Sequence, residues 1–236
     1  MTNNVITVIR RELTEQADEK TRNTYHQYFK EDVAFYGVTN PKAVKIGMKY
    51  FPQVKALGKK EIFRLCEELF KSNYNEESII ACEWCYRLHE AYEPDDFIIF
   101  EEWLEKYINN WAKCDTFCNH SVGALVEMYP QYLKNLKQWA KSPNRWLCRA
   151  AAVTLIIPAK RGKFLKDILE IADILLTDGD DLVQKGYGWM LKDASILHQD
   201  EIFDYVMKNK TKMPRTALRY AIERMPKELK QKAMSK

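Results

Sequence analysis

Almost every stretch of this 236-residue chain repeats its apolar residues with the period of a helix, and no run alternates in the manner of a strand. Val5, Ile9 and Leu13 begin the pattern on one stripe. Helices are expected at about 4–17, 21–30, 41–50, 59–72, 76–88, 95–107, 111–129, 130–141, 145–157, 164–177, 182–195, 200–208, 214–225 and 226–233. The eight prolines fall at inferred helix starts or in connections, where a missing N–H does least harm. In the turn Phe35 to Pro41, Asn40 is the expected cap and Pro41 the first helical residue. Helix starts near Glu76, Trp111, Arg145 and Leu182 recur at roughly 34 to 37 residues, the scale of a two-helix repeat. That rhythm predicts an all-α chain, an α-solenoid of HEAT-like antiparallel helix pairs with a concave binding face. One domain is expected over residues 1–236, with the helices of about 1–57 capping the array.

Charge matters to this reading through its distribution. The net charge is only +4, but the stretches Lys134 to Lys166 and Lys208 to Lys232 are clearly basic, which permits a polyanionic partner. Arg10, Arg11 and Glu12 arrive before a long apolar run can develop, which argues against a signal peptide. The longest apolar run, Ala150 to Ile157, is too short to span a bilayer, so no membrane association is expected and a cytoplasmic location is. The spacings of Cys82/Cys85 and Cys114/Cys118 could present thiolates to zinc. These pairs sit inside apolar helical runs, however, and buried, reduced cysteines with no metal are the better expectation. No Ser, Cys or His falls in a believable nucleophilic triad.

The informative stretch is Asn109-Asn110-Trp111-Ala112-Lys113-Cys114-Asp115. Trp111 and Asp115 are four residues apart, so a helix places them on one face, one turn apart. An aromatic plate beside a carboxylate suits a cationic group. Arg149, inside the apolar run Trp146 to Val153, must find a partner or face a groove. Trp189 follows Gly186 and Gly188, small residues that let a backbone or ligand come close. Each residue alone has an ordinary explanation, as core aromatic, solvated acid or paired base.

Taken together the motifs resemble the AlkD-like family of alkylpurine DNA glycosylases, which are built of HEAT-like repeats. The matching pieces are Phe35-x-Gly37-Val38-x-x-Pro41, Trp111-x-x-x-Asp115, Trp146-Leu147-x-Arg149-Ala150-Ala151, Gln184-Lys185-x-x-Gly188-Trp189-x-Leu191 and Leu218 to Glu223. They keep the family's order from about residue 28 to 225. The family often has a second Trp and an Asp beside the first Trp, where this chain has Asn110 and Ala112.

The resemblance implies a DNA-repair enzyme that acts on double-stranded DNA and hydrolyses the N-glycosidic bond of N3- or N7-alkylated purines without a cofactor; a monomer is expected, since no coiled-coil seam suggests pairing of copies. Asp115, Trp111 and Trp189 would be catalytic, and Arg149, Lys185, Arg145 and Arg215 would hold phosphates. Two rivals remain: a catalytically inactive scaffold that binds distorted or branched DNA, and a protein-binding solenoid.

Overall fold

A computed structural model describes residues 2–235, with side chains from Val5 onward. Among the described residues there are sixteen α-helices and no strand; a lone bridge pairs Ala34 with Tyr74. The helices form two compact units, Met1–Phe117 and Cys118–Lys236. The first contains α1 (Thr2–Glu15), α2 (Glu19–Tyr28), α3 (Asn40–Lys55), α4 (Lys59–Lys71), α5 (Asn75–Tyr86), α6 (Asp96–Tyr107) and α7 (Trp111–Phe117). The second contains α8 (Gly123–Met128), α9 (Leu133–Trp139), α10 (Arg145–Val153), α11 (Ile156–Lys160), α12 (Leu165–Leu175), α13 (Asp181–Ala194), α14 (Gln199–Asn209), α15 (Arg215–Ala221) and α16 (Lys227–Met234).

The expected rhythm is present. Helices α3, α5, α7, α10, α13 and α15 begin at residues 40, 75, 111, 145, 181 and 215, a step of 34 to 36 residues. Within the first unit α5 packs on both α3 and α7, and within the second α13 packs on both α10 and α15. The intervening helices make a second layer in each unit, with α4 against α5 and α6, and α12 against α9 and α13.

The two cores are built differently. That of the first unit is aromatic: Phe100 meets Phe117 edge-on at 5.2 Å, and Phe70 lies 5.4 Å from Trp103. Trp84 is fully buried there and its Nε1–H donates to the Gly47 carbonyl at 2.9 Å. That of the second unit is mostly aliphatic and small, with Ala150, Ala151, Ala152, Val153, Ile168, Ile171, Ala172, Leu191 and Ala194 buried, together with a few aromatics such as Trp139 and Tyr187. Small residues let helices approach closely. A Cβ on Gly188 would lie 2.8 Å from the Ala217 carbonyl oxygen, so α13 and α15 touch there at backbone distance.

Several boundaries differ from expectation, each for a local reason. The single helix expected at 111–129 is α7, a π-helical turn over Cys118–Val122, and α8. The residue added by a π turn shifts the following ladder, and it sets Gly123 against Thr154, whose carbonyl would be 2.9 Å from a Cβ. The helix expected at 145–157 ends at Val153, and Pro158 sits in the first turn of α11, where its missing N–H has no helical partner to lose. Pro52 does not end α3, which continues to Lys55; the ring is exposed, and the buried neighbours Phe51 and Val54 hold the last turn. Asn40 is not the cap of α3. Thr39 precedes the helix without a side-chain bond, while the Asn40 N–H donates to the Tyr25 hydroxyl at 3.2 Å.

All six cysteines are buried and unbridged. The Cys66 thiol donates to the Ala81 carbonyl at 3.4 Å, and burial pushes the Cys66 and Cys82 thiols well above their ordinary pKa. No helix among the described residues is long and apolar enough to cross a membrane.

Candidate functional site

Helix α7 carries the central pair. Ala112, Lys113, Cys114 and Phe117 are buried, whereas Trp111 and Asp115 are half-buried on the remaining face, one turn apart as their spacing predicts. A cavity of about 1040 Å³ opens elsewhere in the first unit, between α4 and α6, and neither Trp111 nor Asp115 lines it.

Asn110 explains how so short a helix is held. It is fully buried; its Oδ1 accepts the Lys113 N–H at 2.9 Å and its carbonyl accepts the Cys114 N–H at 3.1 Å. That is the geometry of an N-cap, typically worth about 1 kcal/mol. One of the two positions at which this chain departs from the resembled pattern thus caps the helix bearing Trp111 and Asp115. The next turn is anchored by Lys113, also fully buried. Its ammonium donates to Asn73 Oδ1 and to Asn109 Oδ1, each at 3.0 Å, and Asn109 Nδ2 donates to Asn73 Oδ1 at 2.8 Å. These acceptors are neutral amide oxygens, and burial pushes the ammonium pKa down to about 8.

The Trp111 ring has a partner outside its own helix. Phe29 stacks on it, with centroids 5.1 Å apart and planes 7° from parallel, so one π face of the indole is occupied. Phe29 in turn packs against Phe35, which also meets Tyr25 and His26, each at 5.2 Å. Phe35 belongs to a loop clamped by the fully buried Glu76. One carboxylate oxygen accepts the N–H groups of Gly37 (2.9 Å) and Val38 (3.0 Å), and the other accepts that of Tyr36 (3.3 Å). Three successive N–H groups converging on an anion form a nest. Gly37 is required there: its φ is +96°, and a Cβ would lie 2.4 Å from the Asp18 carbonyl oxygen. The motif Phe35-x-Gly37-Val38 therefore ends in an aromatic chain that reaches Trp111.

In the second unit Arg149 is only 5% exposed. Its guanidinium donates to the Leu182 carbonyl and lies over Gly186, whose missing Cβ leaves it room. Arg145 is exposed and pairs with Asp180 at 2.8 Å, while Asp180 caps α13 by accepting the N–H groups of Leu182 and Val183. Lys185 pairs with Asp181 one turn back, at 2.9 Å. Arg215 is exposed at the start of α15 and makes no ion pair with the described residues. Trp189 is half-buried; its Nε1–H donates to Asp193 Oδ2 at 2.9 Å, and the Lys192 ammonium lies 5.9 Å from its ring.

The basic stretch is partly spent inside the fold. Lys137 pairs with Asp167 at 2.6 Å and also with Glu170, tying α9 to α12. Arg161 and Lys163 share Glu127. Lys134, Lys141, Arg215 and Arg219 are exposed and make no ion pair with the described residues.

The DNA alkylation repair enzyme family matches residues 9–225. The chain belongs to that family. Its role is therefore in the repair of alkylated DNA. The fold agrees: a solved structure described as a predicted DNA alkylation repair enzyme from Enterococcus faecalis superposes with a TM-score of 0.80 at 15% identity, covering 90% of this chain and 98% of that one. No curated protein matches.

Sequence reasoning missed three residues that hold the candidate side chains within their own units. Phe29 had no readable signal, because nothing in its neighbourhood points to Trp111. Asn110 was legible as a cap, an Asn directly before a helix start. Asp193 was legible as the i+4 neighbour of Trp189.

Proposed function

We propose that the chain is a monofunctional DNA glycosylase that excises purines made cationic by alkylation at N3 or N7, acting as a monomer on double-stranded DNA. The observation that carries this reading is the pair on α7: a carboxylate and an indole on one half-exposed face, with the indole's orientation fixed by Phe29.

An alkylated purine is already positively charged, so no acid need protonate it and no metal need polarise it. As the bond from C1′ to nitrogen breaks, its electron pair neutralises the base, and positive charge develops on the sugar. Asp115 stabilises that charge more than it stabilises the ground state, and it orients the water that adds to C1′ and gives up a proton. Trp111 through its remaining face, and Trp189, attract the cationic nucleotide, at about 0.5–2 kcal/mol per contact. Arg145, Lys185 and Arg215 take phosphates, exchanging their protein carboxylates where they have them. Arg149, nearly buried, adds positive charge and holds α10 to the start of α13.

The test is release of free base from a duplex containing one 7-methylguanine. Release that needs no added metal is expected, with affinity that falls steeply as salt rises. Intact binding without release would transfer the reading to a DNA-binding scaffold. Absence of binding at low salt would leave a protein-binding array instead.

A further inference from the structure

Trp189 is held by a carboxylate that the reading above does not use. Asp193 lies one turn beyond it on α13 and is completely buried. Its Oδ2 accepts the indole Nε1–H at 2.9 Å and lies 3.4 Å from the Lys160 ammonium, while its Oδ1 lies 3.3 Å from the Arg224 guanidinium. Both cations are about half exposed. The carboxylate is thus the inward end of a cluster whose other members reach the surface.

Stability alone does not call for this arrangement. Buried ion pairs are on average no better than apolar packing of the same volume, and Leu191 and Ala194 already provide apolar neighbours on this helix. What the bond adds is orientation. The backbone at Gly188 is pinned against Ala217, the ring is flanked by Lys192, and Lys192 is tied to Glu223 at 3.1 Å. With the N–H also fixed, the ring plane has one setting. Donation to an anion also polarises the indole and enriches its π face, which strengthens its attraction for a cation.

We propose that Asp193 is a positioning residue for base excision, setting the plane and electron density of the Trp189 indole through its N–H. The proposal rests on the glycosylase reading. Asp193 touches neither DNA nor the reacting atoms; it acts through the ring.

The experiment compares D193N, which keeps an acceptor and loses the charge, with D193L, which loses both, each in the natural chain and in W189F. Single-turnover excision of 7-methylguanine, duplex affinity and the Trp189 indole N–H proton resonance, identified by its disappearance in W189F, are measured. D193L should slow excision about tenfold while weakening affinity less, D193N should slow it less than D193L, and neither should slow W189F further. The resonance should move upfield in both, further in D193L. An equal loss of rate in the W189F background, or a resonance that stays put, would overturn the proposal. If D193L fails to fold, D193N carries both readouts. A natural chain that releases no base fails the glycosylase reading, and the resonance then still decides whether Asp193 sets the ring.

Discussion

Helices α7 and α13 each present a half-buried tryptophan, and they hold it by opposite means. On α7 the ring is fixed by stacking, Phe29 against Trp111, and the helix by hydrogen bonds to neutral amide oxygens, in the Asn110 cap and in the cluster of the Lys113 ammonium with Asn73 and Asn109. On α13 nearly every anchor is charged: Asp180 with Arg145, Asp181 with Lys185, Asp193 with Lys160 and Arg224, and Lys192 with Glu223. Stacking is insensitive to salt, whereas exposed ion pairs are screened and exchange readily with phosphate. The contrast suits a division of labour, with a fixed aromatic–carboxylate pair on α7 and a surface on α13 whose cations can change partners.

The largest expected effect concerns the cluster around the Lys113 ammonium. Because burial holds the Lys113 pKa at about 8 in the folded chain, against 10.5 ordinarily, the folded state loses this proton first as pH rises. Stability from this group is therefore present above about pH 10.5 and lost as pH falls through 8, a swing of roughly 3 kcal/mol. Denaturant melts of the natural chain and K113M, compared from pH 7 to pH 10.5, isolate it from the other lysines. The natural chain should gain on K113M across that window; parallel curves would show that the ammonium is not held as described.

Next comes the clamp beneath the aromatic chain. G37A forces a Cβ onto the Asp18 carbonyl at a positive φ and should cost about 2–3 kcal/mol by chemical denaturation. A loss under 0.5 kcal/mol would mean that the loop is not clamped by Glu76 in this register. Smaller still is F29A, which removes a stacking contact worth about 1 kcal/mol. It should slow excision several-fold, and the slowing should not depend on salt. A salt-dependent effect would erase the contrast with α13.

The layout of helices was legible because period and punctuation are local. The spacing that put Trp111 and Asp115 on one face needed only helix geometry, and helix starts near 111, 145 and 182 needed only capping and pattern. What remained hidden was pairing between distant segments. Lys137 reads as a solvated base beside Lys134 and Lys141, and only the fold brings Asp167 and Glu170 to it. Arg149 reads as a phosphate anchor, and only the packing of α10 on α13 shows it nearly buried against Leu182. Phe29 is similar: stacking between residues so far apart follows from the Glu76 clamp, and a carboxylate's reach to three backbone N–H groups has no sequence signature.

The most direct test is the single-turnover rate of 7-methylguanine release by D115N relative to the natural chain, with duplex affinity measured on the same samples. A fall of at least about tenfold, 1.4 kcal/mol of lost transition-state stabilisation, with affinity retained, is the predicted result. Equal rates would contradict the role of the α7 carboxylate.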